Sequence, residues 1–124
     1  MSDISDRAEM RKQNRLEKLG TNDPVCPLCG ISDWRCFELH HVAGRKFDDQ
    51  EIAICLNCHA VCSDLQKNHP ARLGRSPTML EAIGRYLLGL ADMLGAVAAK
   101  LKEFGLFLIA EAQRALAASR EAVI

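Results

Sequence analysis

Two cysteine pairs are the residues of this 124-residue chain best suited to chemistry: Cys26-Pro-Leu-Cys29 and Cys55-Leu-Asn-Cys58. Each pair places two thiolates on one tight turn, and two such turns together complete the tetrahedral four-sulfur site typical of structural zinc. We therefore predict one Zn2+ bound by Cys26, Cys29, Cys55 and Cys58. Gly30 supports the first turn, because glycine readily adopts the left-handed backbone that such a turn can require.

Other uses of the cysteines are disfavoured by their context. The chain opens without the basic and apolar regions of a secretory signal, so we expect a cytoplasmic location, where metal binding is favoured over disulfides. Cys36 and Cys62 fall outside the paired pattern and are interpreted as small buried apolar residues. Haem attachment at Cys55 to His59 is a minor alternative, because it leaves the first pair unexplained.

Three histidines lie close to these cysteines: His40, His41 and His59. On a regular strand the adjacent His40 and His41 would point to opposite faces, whereas at an irregular strand end both can line one cleft. A single histidine is more often a buried, hydrogen-bonded residue than a ligand or a catalyst. Three of them beside two zinc knuckles favour a functional site.

The elements that must position these residues differ in composition along the chain. Segment 1–22 is charged and predicts a helix from an N-cap at Ser5 to a glycine cap at Gly20. Segment 23–75 is predicted to be a small domain, too short for a self-sufficient apolar core without a metal. Its predicted elements are strands over 37–42 and 51–55 and a helix over 57–68.

Segment 76–124 predicts a long apolar helical segment that opens with a capping box, Thr78-Met79-Leu80-Glu81. Leucines recur every seven residues, and further apolar residues widen the face beyond a two-stranded seam. We expect 78–116 to form a bundle, either by self-association, with a helical protein partner, or by folding back as a hairpin near Gly105. Charged residues interrupt every window of about 20 residues, so no membrane span is predicted.

The charge balance gives no global footprint for nucleic acid, because sixteen basic residues face sixteen acidic ones and each segment is near neutral. A local strip over 66–76 carries Lys67, Arg72 and Arg75 without an acidic residue. That strip is either a nucleic-acid contact or an ordinary solvated loop.

Segment 25–69 resembles the HNH endonucleases, the ββα-metal nucleases, in their four-cysteine form. The matching residues, in the order of the family pattern, are Cys26-Pro-Leu-Cys29-Gly30, Glu38-Leu-His40-His41-Val42 and Ile54-Cys55-Leu-Asn-Cys58-His59. The resemblance implies that His41 is the general base and that His40 and His59 hold one catalytic divalent metal. It also implies that DNA is the substrate. Arg45 is a candidate contact because its guanidinium matches phosphate oxygens, and Lys67 is a candidate from the basic strip; a solvated loop residue is the alternative for each.

Two positions depart from the family pattern. Gln50 stands where the family has an asparagine that ties down the loop orienting the base. His40 stands where many relatives have aspartate, so the catalytic ion, Mg2+, Mn2+ or Ni2+, would be held by imidazoles, which favour Mn2+ and Ni2+ over Mg2+. Asp48 or Asp49 is a candidate for the missing carboxylate.

The sequence thus predicts an α+β protein: a zinc-stapled ββα-metal domain between a short N-terminal helix and a long apolar C-terminal helical segment. The predicted function is metal-dependent hydrolysis of DNA phosphodiester bonds. The alternative is a non-catalytic zinc-binding module for nucleic acid or protein, which the neutral charge and Gln50 favour.

Overall fold

The computed structural model describes residues 4–123, a small mixed domain of helices and a two-stranded sheet around a cysteine cluster. Its elements, in chain order, are α1 (Ile4–Leu19), a 3-10 turn (Trp34–Cys36), β1 (Phe37–His41), β2 (Glu51–Cys55), α2 (Leu56–Gln66) and α3 (Met79–Val123). The predicted strands and the helix after the second cysteine pair agree with these bounds to within two residues.

The two strands form an antiparallel hairpin whose register sets the site. Phe37 lies opposite Cys55 at one end and His41 lies opposite Glu51 at the other. Phe37 and Ile54 are fully buried and anchor the hairpin in the core. The register therefore brings the second cysteine pair to one end of the hairpin and the histidine doublet to the other.

Helix α1 packs along the hairpin through Leu16 and Leu19, the two buried residues on its inner face. It ends as predicted at Gly20, whose backbone N–H donates to the Leu16 carbonyl over 2.9 Å. The predicted N-cap at Ser5 is wrong, because the helix already includes Ile4 and Ser5 lies inside its first turn. The Arg15 guanidinium donates to the Phe37 carbonyl and holds the helix to β1.

Helix α2 begins directly after β2, and Cys55 serves as its N-cap. The Cys58 backbone N–H donates to the Cys55 sulfur over 3.4 Å. A cap residue satisfies one of the amide donors that the first turn of a helix leaves without partners. The strand, the helix and the cysteine cluster therefore meet at a single residue.

Helix α3 is continuous over 45 residues, and its first half packs on the domain. The predicted capping contact is present, since the Glu81 backbone N–H donates to the Thr78 hydroxyl over 3.1 Å. The side chains that meet the core are Tyr86, Leu90, Met93, Ala96 and Val97. The predicted alternative of a hairpin folded back near Gly105 is wrong, because the helix runs through that residue without a break.

The heptad leucines of α3 face solvent both within the core-contacting half and beyond it. The exposed leucines of this series are Leu80, Leu87, Leu94, Leu101 and Leu108. Within residues 4–123, none of the helices combines the length and the apolarity that a bilayer crossing requires.

A buried ion pair fixes the segment that connects α2 to α3. Arg85 and Glu81 lie 3.0 Å apart, with side chains only 8% and 6% exposed. The Arg85 guanidinium also donates to the carbonyls of Pro70 and Ala71 and lies 4.4 Å from the centroid of the Phe47 ring. This cluster ties the connection and the hairpin loop to α3.

Candidate metal centre and histidine cleft

The four predicted zinc ligands converge, since all four sulfur atoms of Cys26, Cys29, Cys55 and Cys58 lie within 4.8 Å of one another. The first pair is held by a tight turn: the Gly30 N–H donates to the Cys26 carbonyl over 2.8 Å. Gly30 has a φ of +84°, the left-handed conformation anticipated from the sequence. The cluster can hold a metal ion such as zinc.

The electrostatics of the cluster favour a bound cation. Burial opposes ionisation of the Cys26 thiol, but donors including the backbone N–H of Cys55 outweigh it and bring the pKa of Cys26 down to about 7. Burial raises the pKa of Cys29 and of Cys58. Four thiolates this close repel one another unless an ion neutralises them, so metal binding must release protons from the cluster.

All three histidines of the sequence prediction line one cleft of about 500 Å3 beside the hairpin. Its walls come from α1, the hairpin and α2. The lining residues are Arg15, Lys18, Leu19, Glu38, Leu39, His40, His41, Arg45, Glu51, His59, Ser63 and Gln66. The adjacent His40 and His41 share this cleft, as the sequence allowed for an irregular strand end.

His40 forms the buried floor of the cleft and is only 2% exposed. Burial, together with the neighbouring His59 and His41, lowers the pKa of its imidazole to about 4. The ring is therefore neutral near pH 7 and keeps a nitrogen lone pair. Its centroid lies 5.4 Å from that of His59 in an edge-to-face arrangement.

His59 projects from the first turn of α2 and is oriented by Glu38 of β1. Its Nδ1 atom lies 2.9 Å from a carboxylate oxygen of Glu38. A carboxylate on one imidazole nitrogen leaves the other nitrogen as the ligand atom, an arrangement common at metal sites. The Glu38 carboxylate thus orients the ring of His59.

His41 ends β1 opposite Glu51, and its Nε2 lies 3.7 Å from a Glu51 carboxylate oxygen. The backbone around it is held from α2, because the Gln66 side chain donates to the carbonyls of His41 and Val42 over 2.9 and 3.3 Å. Gln66 also lies 3.5 Å from His40 Nε2. The side-chain amide of Gln66 therefore fixes the backbone of His41 and Val42 at the end of β1.

Of the other predicted site residues, Arg45 lies at the cleft, whereas Gln50 and Lys67 do not. Arg45 lines the cleft. The backbone carbonyl of Gln50 accepts a hydrogen bond from the Val42 N–H. Gln50 and Asp48 line a separate depression against α3. Lys67 is exposed at the end of α2, 3.5 Å from Asp64, and is not among the cleft residues.

Several residues that line the cleft were not assigned a role from the sequence: Glu38, Glu51, Ser63, Gln66, Arg15 and Lys18. A metal site built only from the chain needs three or more His, Cys, Asp or Glu side chains with their ligand atoms close together. Among residues 4–123, the cysteine cluster is the one set that meets this condition.

Comparison of the chain with protein-family models, with curated proteins and with solved structures found no match. The function must therefore be argued from the site.

Proposed function

We propose that this chain is a metal-dependent endonuclease of the HNH type that hydrolyses DNA phosphodiester bonds. The observation that carries the proposal is the meeting of His40, His41 and His59 in one cleft on a hairpin and helix joined by the cysteine cluster. Phosphodiester hydrolysis needs an activated water on one side of the phosphorus and stabilisation of negative charge on the other. Imidazoles can provide both, one as a base and two as metal ligands.

His40 and His59 fit the role of ligands to a catalytic divalent ion. The low pKa of His40 keeps its ring neutral, and Glu38 on Nδ1 of His59 leaves the Nε2 of that ring available. When bound, the ion would supply Lewis-acid stabilisation of charge on the scissile phosphate. A neutral two-imidazole set favours Mn2+ or Ni2+ over Mg2+.

His41 fits the role of general base. Its ring lies at the open end of the strand, and Glu51 stands close enough to stabilise the imidazolium formed when the ring takes a proton from water. Gln66 holds the backbone at His41 and Val42, which limits the motion of the ring relative to the cleft. Arg45 would contact a phosphate of the substrate.

The test is nicking of supercoiled plasmid by zinc-loaded protein, with Mg2+, Mn2+ or Ni2+ added or withheld. We expect metal-dependent nicking that His41→Ala reduces by at least about a hundredfold, the usual contribution of a general base. His69→Ala is the matched control, because that histidine pairs with Asp92 over 2.7 Å and is not a cleft residue. Equal nicking by the His41 variant would refute the mechanism.

A zinc-binding module without catalysis is the second candidate. The position of Gln50 favours it, since its side chain is not among the residues that line the cleft. The two candidates differ in the second ion: an enzyme binds a divalent ion that is lost in His40→Ala and His59→Ala, whereas a module needs only the cysteine cluster. Calorimetric titration of zinc-loaded protein with Mn2+ separates them.

We also propose that the apolar part of α3 associates with a second copy of the chain. The exposed heptad leucines support this, because a helix with apolar residues around most of its surface is normally covered by other helices.

A further inference from the structure

Helix α1 carries a charge pattern that the proposed cleavage does not use. Four basic residues, Arg7, Arg11, Arg15 and Lys18, recur at helical spacing. At 3.6 residues per turn they fall within an arc of about 80° on one side of the helix. The acidic residues of α1, Asp6, Glu9 and Glu17, fall in a separate arc on the far side. We call the four cations the basic stripe.

The basic stripe runs into the histidine cleft. Its last two members, Arg15 and Lys18, line the cleft, while Arg7 and Arg11 are exposed farther along α1. Arg45 lines the cleft from the hairpin loop. Positive side chains therefore follow a continuous path from the far end of α1 to the histidines.

Most of the stripe is not neutralised by the protein. Arg7, Arg11, Lys18 and Arg45 have no ion-pair partner within the part of the chain that the structure describes. Some cations elsewhere on the surface pair with a nearby carboxylate, whereas Arg72, Arg75, Lys102 and Arg120 have no such pair among the described residues. Examples of such pairs are Lys67 with Asp64, Lys100 with Glu103 and Arg114 with Glu111. Four cations without a carboxylate partner thus lie along α1 and beside the cleft.

The length and chemistry of the stripe suit the backbone of a duplex. From Arg7 to Lys18 the helix rises about 16 Å, which corresponds to roughly five base pairs along the duplex axis. Binding of single strands relies on aromatic side chains that stack on bases. Helix α1 has no such residue, and the cleft lining includes no Phe, Tyr or Trp.

We infer that the basic stripe of α1 binds the phosphate backbone of duplex DNA and leads it into the histidine cleft. This rests on the proposed function for the identity of the substrate. The contact is electrostatic and therefore independent of base sequence. It accounts for a nucleic-acid surface on a chain whose total charge is zero.

The experiment measures the dissociation constant for a short DNA duplex as a function of salt, with zinc-loaded protein and no second divalent ion, so that cleavage is not required. The variant is Arg7→Gln, Arg11→Gln, Lys18→Gln, with Arg15 kept because it also bonds to the Phe37 carbonyl. The control, Lys100→Gln, Lys102→Gln, Arg120→Gln, makes the same change in net charge on α3. Circular dichroism and zinc content verify that all three proteins are folded.

Let K be the association constant for the duplex. We expect the plot of log K against log salt concentration to become shallower by about 2.7 in the stripe variant, because each phosphate contact contributes about 0.9 to the slope. The control should keep the wild-type slope. Equal slopes in the stripe variant and the wild type would overturn the inference, as would tighter binding of a single strand or of an RNA duplex than of duplex DNA. Plasmid nicking is measured separately. Its absence refutes the proposed cleavage, whereas an unchanged salt slope refutes DNA binding by the basic stripe.

Discussion

At the residue scale, Gly89 is the point where α3 comes closest to the hairpin. A Cβ atom at this position would lie 1.7 Å from the carbonyl oxygen of Val42, the residue that follows His41. No side chain can occupy that space without moving one backbone away from the other. The position of α3 against the end of β1 therefore depends on the absence of a side chain at one residue.

We predict that Gly89→Ala lowers the free energy of unfolding by about 1 to 3 kcal/mol, the usual cost of overpacking in a core. Gly95→Ala is the matched control, because nothing lies within 4 Å of its Cβ position. There the better helix propensity of alanine should raise stability by up to about 1 kcal/mol. Urea unfolding of both variants checks the pair, and a similar change in the two would contradict the close contact.

His40 provides a prediction about pH. Its pKa of about 4 lies below the ordinary value for histidine, so its imidazole should remain neutral in nuclear magnetic resonance spectra as the pH is lowered well past 6.5. In that range the unfolded chain binds the proton more readily than the folded chain does. The contribution of His40 to stability is therefore complete above pH 6.5 and is lost as the pH falls towards 4. A normal titration near 6.5 would show that the ring is accessible to water.

At the element scale, the hairpin and α2 depend on the cysteine cluster for their junction. Cys26→Ser should abolish stoichiometric zinc binding and unfold this junction, because metal binding and folding are coupled at such sites. Cys36→Ser is the control, since Cys36 lies outside the cluster. Zinc analysis and circular dichroism measure the two effects. Full zinc occupancy in the Cys26 variant would contradict the four-cysteine assignment.

The local elements were predictable from the sequence because their signals are local. The turn glycine Gly30, the capping box at Thr78 and the strands around His41 and Cys55 each depend on a few neighbouring residues. The cysteine cluster was also predictable, because two short-spaced pairs have one common use in a small domain. The roles assigned to His40, His41 and His59 stay a prediction, although the fold brings the three into one cleft.

The contacts between distant elements were not predictable. Gln66 reaches the backbone of His41 from 25 positions away, and nothing near it in sequence marks that role. The same holds for the approach of Gly89 to Val42 and for Arg85 over the Phe47 ring. Such contacts depend on how α3 and α2 pack on the hairpin, which no local pattern specifies. The basic stripe was visible in the sequence, but its meaning depends on where α1 lies relative to the cleft.

At the scale of the whole molecule, helix α3 has a packed half and a half with little cover. Tyr86, Leu90 and Met93 meet the core, whereas apolar residues beyond Lys100 are exposed. The large exposed apolar residues there are Leu101, Phe104, Leu106, Phe107, Leu108, Ile109 and Leu116. A patch of this extent is typical of an interaction surface.

We predict that the full chain sediments as an oligomer, with a mass above the 13.7 kDa of one copy. Leu101→Glu with Leu108→Glu should return it to a monomer, because a charge on the apolar face cannot be covered by another helix. Leu73→Glu is the control, because Leu73 is also an exposed leucine but lies in the connection before α3. A monomeric wild-type protein at all concentrations would contradict self-association. Truncation before α3 would be a poorer test, since Met93 belongs to the core.

The triple role of Cys55 has a consequence for how the protein would respond to chemical stress. This residue ends β2, belongs to the cysteine cluster and caps the helix that carries His59, Ser63 and Gln66. Oxidants and thiol-seeking heavy metals attack sulfur. Damage to this one sulfur would thus disorganise the wall of the histidine cleft without modifying a single histidine, so exposure to peroxide should disrupt the cleft through its scaffold.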